Sequence, residues 1–246
     1  MTAEKRDFDK VAASWDQNPM RLKLAGDVAH AISQQAPLTP DMDVLDFGCG
    51  TGLLTLHLQP KVRSITGVDS SEGMLAVLRS KVAQGKLPNV RTTYFDLDKG
   101  DALPGRYDLV VSSMTLHHIP DVARLLAEFH RVLKPGGRLC LADLDSEGGR
   151  FHDDSTGVFH HGFDRAALVR HLEAAGFCDV QAVTAAEVVK PSAGGGMARF
   201  TIFLVTGGLQ LSPGGTRSVA SAFSIRNSAT TKRGPPPAGN IFNRAR

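Results

Sequence analysis

The chain has 246 residues, 42% of them hydrophobic and 22% charged, with a formal net charge of +3. This length allows one domain with a sizeable core and some additional elements. Three widely separated cysteines exclude a complete disulfide framework, and no apolar run reaches the ~18 residues of a membrane span.

The charge is uneven. Arg217, Arg226, Lys232, Arg233, Arg244 and Arg246 lie beyond residue 208 with no acid among them, so the remainder is mildly acidic. An acidic globular part argues against nucleic acid as a partner. At the other end, "MTAEKRDFDK" lacks the apolar core of a secretory signal, and a cytoplasmic location is expected.

Next comes a short element, "FDKVAASWD", carrying the only tryptophan, Trp15. A helix is predicted over 19–36, with Pro19 in its first turn and Leu22, Ala25, Val28, Ala29 and Ile32 on one face. Residues 1–38 thus read as an N-terminal helical cap.

From residue 43 short β-branched runs alternate with helical patterns. Strands are predicted at 43–47, 64–69, 90–95, 107–113, 137–144, 179–185 and 199–206. Helices are predicted at 53–58, 71–84, 121–133 and 164–175, the last with Asp164 as N-cap and Gly176 as its stop. This alternation implies an α/β domain over 39–208 with a doubly wound, mostly parallel sheet. Residues 209–246 are rich in Gly, Pro and Ser and read as a disordered basic tail.

The stretch "VLDFGCGTGLL" sets Gly48, Gly50 and Gly52 directly after the first strand. Its spacing is G-x-G-x-G, with Leu53 where the third glycine of a dinucleotide fingerprint would fall. The expectation is a nucleoside cofactor close enough to the backbone to exclude side chains at all three glycines. Asp46 precedes the turn, Asp69 ends the second strand and Asp96 follows the third. A carboxylate at Asp69 suits both hydroxyls of a ribose, and one at Asp96 an exocyclic amine, with the Leu97 amide free for a ring nitrogen.

With "VLDFGCGTG", "GVDSSEGML", "FDLD", "YDLVVSSMTLHHI" and "LKPGG" in this order over roughly 40–145, the chain resembles the class I S-adenosylmethionine-dependent methyltransferases. Within them it looks most like small-molecule enzymes related to those of ubiquinone and menaquinone biosynthesis. The resemblance implies a Rossmann-like seven-stranded sheet with an antiparallel last strand, and S-adenosyl-L-methionine as cofactor. It further implies that Asp46 and the turn Gly48, Cys49, Gly50 and Gly52 hold the methionyl part, Asp69 the ribose, and Asp96 with Leu97 the adenine. Ser70 and Met74 would line the adenosine pocket, and Ser112, Ser113 and Met114 the sulfonium side. In the N-terminal segment itself, Trp15 reads either as a hydrophobic staple fastening the helix at 19–36 or as part of a flap over bound cofactor, with Trp15 or Arg21 closing the site.

A methyl acceptor needs a base only if it must lose a proton. The sequence offers His117 and His118 after the fourth strand. His152, His160 and His161 follow the fifth, in "FHDDSTGVFHHGFD", which reads as a substrate lid. His117, His118, His160 and His161 are the candidate catalytic residues. Asp143, Asp145, Glu147, His152, Asp153 and Asp154 could instead hold a divalent ion, although their spacing matches no fixed metal signature. The predicted function is transfer of a methyl group to a small molecule. The alternatives are a protein or RNA methyltransferase and a non-catalytic partner of the same fold.

Overall fold

The computed structural model describes residues 6–192 and 195–211. The tail predicted for 209–246 therefore lies, from residue 212 onward, outside the described residues, as do residues 1–5 of the predicted cap.

Among the described residues, five α-helices and seven β-strands follow a 3-10 segment at Asp9–Gln17. They are α1 (Pro19–Gln35), β1 (Asp43–Phe47), α2 (Leu53–Leu58), β2 (Ser64–Asp69), α3 (Glu72–Gly85), β3 (Val90–Tyr94), β4 (Tyr107–Ser113), α4 (Val122–Val132), β5 (Leu133–Leu144), α5 (Arg165–Ala174), β6 (Cys178–Pro191) and β7 (Met197–Gly208). The seven strands form one sheet in the order β3-β2-β1-β4-β5-β7-β6. β7 runs antiparallel to both of its neighbours, and the other pairings are parallel.

Successive residues of a strand point to opposite faces, and this splits the core. Val44, Ile65, Leu109 and Val111 join Val28 and Ile32 of α1 and Leu58 of α2. Leu45, Val68, Val110 and Leu139 join Leu125 and Phe129 of α4 and Leu168 and Leu172 of α5. Helices thus cover both faces, as the strand-helix alternation implied.

Local chemistry sets the helix ends. Asn18 accepts from the Met20 amide, with Pro19 following it, and Ser71 accepts from the Met74 amide. Asp164 caps α5 by accepting from the Ala167 amide, and Gly176 leaves that helix with φ +94°.

Two expectations are corrected. Leu22 is 44% exposed, and the buried face of α1 instead carries Leu24, Ala25, Val28, Ala29, Ala31 and Ile32. The pairing β6–β7 also runs well past the predicted 179–185, as far as Pro191 opposite Met197. Beyond residue 185 the strand continues with Ala186 and Val188 buried on either side of Glu187.

Candidate active site

β1 ends at Phe47 and the chain turns sharply, with positive φ at Gly48 (+68°), Gly50 (+54°) and Gly52 (+85°). The Gly48 and Cys49 amides both donate to the Val68 carbonyl, at 2.8 and 3.1 Å, and this pins the turn to β2. The three glycines answer to different neighbours. A Cβ on Gly48 would overlap the Thr115 side chain, and one on Gly52 would overlap Leu78. A Cβ on Gly50 would meet only Met74 Sδ, at 4.0 Å. The expectation that one ligand excludes side chains at all three is therefore corrected. Protein packing requires Gly48 and Gly52, and of the three only Gly50 has room for a Cβ.

Three carboxylates surround that space. Asp46 is 1% exposed, and its Oδ2 accepts the Thr55 hydroxyl at 2.6 Å. Burial, helped by the nearby charge of Asp69, pushes its carboxyl up to about 7. Asp69 accepts the Gly50 amide on Oδ2 at 2.8 Å and the Ser71 amide on Oδ1 at 2.9 Å. Burial raises it despite those donors. Asp96 accepts the Asp98 amide at 3.1 Å, beside the buried Leu97.

All of these line one cavity of about 500 Å³, together with Gly48, Cys49, Ser70, Met74, Ser113 and Met114. It opens over the carboxyl ends of β1–β4, where the strand order reverses between β1 and β4. Open α/β sheets bind ligands at such a point. Met114, at the end of β4, holds φ +56°, a strained conformation for a side-chain-bearing residue.

The segment ahead of α1 roofs the cavity. Asp9 accepts the Ser71 hydroxyl at 2.5 Å and the Gly73 amide at 2.8 Å. Asp16 accepts the Thr51 hydroxyl at 2.6 Å and pairs with Lys81, which donates to the Thr51 carbonyl at 2.7 Å. These ties carry Phe8, Trp15 and Arg21 into the lining. The Arg21 guanidinium lies 3.6 Å above the Trp15 ring and donates to the Trp15 carbonyl at 3.1 Å. It forms no ion pair among the described residues.

Histidines build the other end. His117 Nδ1 lies 2.6 Å from Asp143 Oδ1, and both residues are fully buried. His118 Nδ1 lies 2.6 Å from the Gly157 carbonyl, which fixes the donor on that nitrogen. Burial, with His117 alongside, lowers His118 to about 4. His152 completes a cluster, its ring centroid 4.9 Å from His117 and 5.8 Å from His118. All three line the cavity.

Several predicted site residues are placed elsewhere. Ser112 is buried and donates to the Phe47 carbonyl at 2.9 Å, joining β4 to β1 outside the cavity lining. Gly52 also lies outside that lining. His160 contacts the Ile119 carbonyl at 3.0 Å and stacks near Phe163, while His161 is half exposed beside Glu147. Neither reaches the cavity, because Asp145 pairs with Phe163 and the Glu147 amide donates to the His161 carbonyl, so 160–163 run alongside 145–147. The acids proposed for a divalent ion are dispersed. Asp143 faces His117, Asp145 binds Arg165 and Thr201, and Glu147 accepts the Phe151 amide. Among the lining residues that motif reading passed over, Arg6, Phe8 and Phe151 belong to no phrase of the resemblance, whereas Thr51 and Thr115 lie inside its phrases without having been singled out.

A family model described as a methyltransferase domain matches residues 20–182. The chain belongs to this methyltransferase family. It is 38% identical over 135 residues to an uncharacterized methyltransferase of Schizosaccharomyces pombe, covering 49% of this chain and 48% of that protein. It is 30% identical over 148 residues to a ubiquinone biosynthesis O-methyltransferase of Pseudomonas aeruginosa, covering 58% and 63%. The chain thus spans less than two thirds of either relative. A solved SAM-dependent methyltransferase from Aquifex aeolicus superposes with a TM-score of 0.61 at 22% identity, covering 83% of this chain and all of that one. The methyltransferase fold thus accounts for the sheet order.

Proposed function

We propose that this methyltransferase transfers a methyl group from S-adenosylmethionine to a small molecule enclosed in the cavity. One observation carries the reading. A single cavity of about 500 Å³ joins the three strand-end carboxylates to the histidine cluster, under the roof tied down by Asp9 and Asp16.

The donor set fits the cofactor. The space beside Gly50 is open, Asp69 offers acceptor oxygens suited to a ribose diol, and Asp96 with Leu97 stands where an adenine edge would be read. Asp46 supplies negative charge for an ammonium, and Arg21, held flat on Trp15, supplies positive charge for a carboxylate. Ser70 and Met74 would flank the adenosine, and Ser113 and Met114 the reacting centre. Bound there, S-adenosylmethionine supplies an electrophilic methyl group on a sulfonium. The protein's own part is alignment and exclusion of water, which the Phe8–Trp15 roof favours.

A roofed cavity supports a compact acceptor over a protein or RNA chain, and the ubiquinone O-methyltransferase relatives point the same way. Calorimetric titration tests the reading. S-adenosylmethionine and S-adenosylhomocysteine should both bind, and NAD should not. Binding of NAD without S-adenosylhomocysteine would overturn it.

A further inference from the structure

Among the described residues, one polar atom at the acceptor end of the cavity has no partner within the fold. His152 Nε2 is buried and makes no hydrogen bond to any described residue, although His152 lines the cavity. Its polar neighbours bond in other directions: His117 through Nδ1 to Asp143, His118 through Nδ1 to the Gly157 carbonyl, and Lys190 to the Phe151 carbonyl at 2.6 Å. Phe151 holds the His152 ring edge-on, at 5.0 Å between centroids. A buried, unsatisfied imidazole nitrogen is costly unless a ligand supplies its partner.

We propose that His152 Nε2 receives the hydroxyl of the methyl acceptor, so that the acceptor is a hydroxyl compound and the product a methyl ether. This rests on the methyltransferase reading above. With its proton on Nδ1, the neutral ring presents Nε2 as an acceptor. Burial, then the neighbouring imidazoles and the charges of Arg6 and Lys190, lower His152 to about 3 and keep the ring neutral. The same surroundings disfavour an acceptor that brings a positive charge of its own, which would add a cation beside Arg6 and Lys190. Asp153 lies 3.9 Å from Lys190 and is itself 80% exposed, so its charge is spent at the solvent rim.

The step balances. The acceptor oxygen forms its bond to the methyl carbon while the sulfur–carbon bond breaks, its electron pair remaining on sulfur. The hydroxyl proton passes to His152 Nε2. Positive charge lost from the sulfonium reappears on the imidazole, and the total charge of the cavity is unchanged. A weakly basic ring suffices, because an oxygen that has taken a methyl group while keeping its proton is a far stronger acid than imidazolium.

The test uses wild type, His152→Phe and His152→Gln with isotopically labelled methyl donor and a small-molecule cell extract. Both variants should bind S-adenosylhomocysteine as the wild type does, yet transfer label about 10²–10⁴-fold more slowly. The labelled product should carry its methyl on oxygen. In histidine 15N spectra of the S-adenosylhomocysteine complex, the His152 Nε2 signal should shift when the acceptor recovered from that extract is added. A normal rate in either variant, label on nitrogen, sulfur or carbon, or an unmoved Nε2 signal would overturn the proposal. Failure of the wild type to bind S-adenosylhomocysteine would instead overturn the methyltransferase reading beneath it.

Discussion

The Gly50 amide donates to Asp69 Oδ2 at 2.8 Å, so the carboxylate that ends β2 also shapes the turn that follows β1. Its second oxygen accepts the Ser71 amide at the start of α3. One side chain therefore positions both rims of this end of the cavity.

Asp69→Asn should weaken S-adenosylhomocysteine binding by about 1.5–3 kcal/mol, the range for hydrogen bonds to charged groups. The asparagine offers one acceptor oxygen where two are in use, and it removes the charge. Calorimetry reads the change, and unaltered affinity would confine Asp69 to shaping the turn.

Gly50 and Gly52 should fail in different ways. Gly50→Val places its side chain in the open space near Met74. Ligand binding should disappear while the fold survives, at a conformational cost of about 1–2 kcal/mol for the left-handed backbone. Gly52→Val drives into Leu78, which is fully buried, and should lower the melting temperature far more. Equal melting temperatures for the two variants would refute the distinction.

Asp46 predicts a pH dependence. Burial pushes its carboxyl up to about 7 when no ligand is bound. A ligand ammonium would favour the carboxylate, so binding releases a proton and affinity should rise with pH, flattening above about 7. Stability moves the other way. A folded-state value above the unfolded one means that this group's stabilising contribution is complete below about pH 4 and is lost as pH rises toward 7. Asp46→Asn should flatten both slopes, as measured by calorimetry and thermal melts across this range. A wild-type affinity independent of pH would remove Asp46 from contact with the ligand.

Strand and helix order were legible because the β-branched runs alternate with helical patterns and every α-helix but α2 carries its own side-chain cap, as at Asp164 and Ser71. The length of β6 was not, because Glu187 and Lys190 look like loop residues until β7 lies opposite them. Within the site, the Asp46, Asp69 and Asp96 positions were legible because strand ends at a sheet crevice face the ligand space. The histidines were harder to sort. Nothing local separates His152 from His160 and His161. The difference comes from the Asp145–Phe163 bridge, which carries one pair aside and leaves His152 beside His117. Ser112 was misread for a similar reason: one residue along β4 reverses the face.

Asp16 should act on the rate of ligand exchange. It ties the roof to Thr51 and Lys81 while remaining partly exposed. Asp16→Ala should leave the melting temperature within a few degrees and speed S-adenosylhomocysteine dissociation severalfold, as measured by stopped-flow displacement. An unchanged dissociation rate would mean that the segment holding Phe8 and Trp15 does not gate the cavity.

The most direct measurement follows an isotopically labelled methyl group from S-adenosylmethionine through a whole-cell extract incubated with the protein. The small-molecule, protein and RNA fractions are then separated and weighed by mass spectrometry. Label concentrated in one or a few small molecules, and lost with Asp69→Asn, is the expected result. Label confined to protein or RNA, or no transfer by a protein that binds S-adenosylmethionine, would contradict methyl transfer to a small acceptor within this cavity.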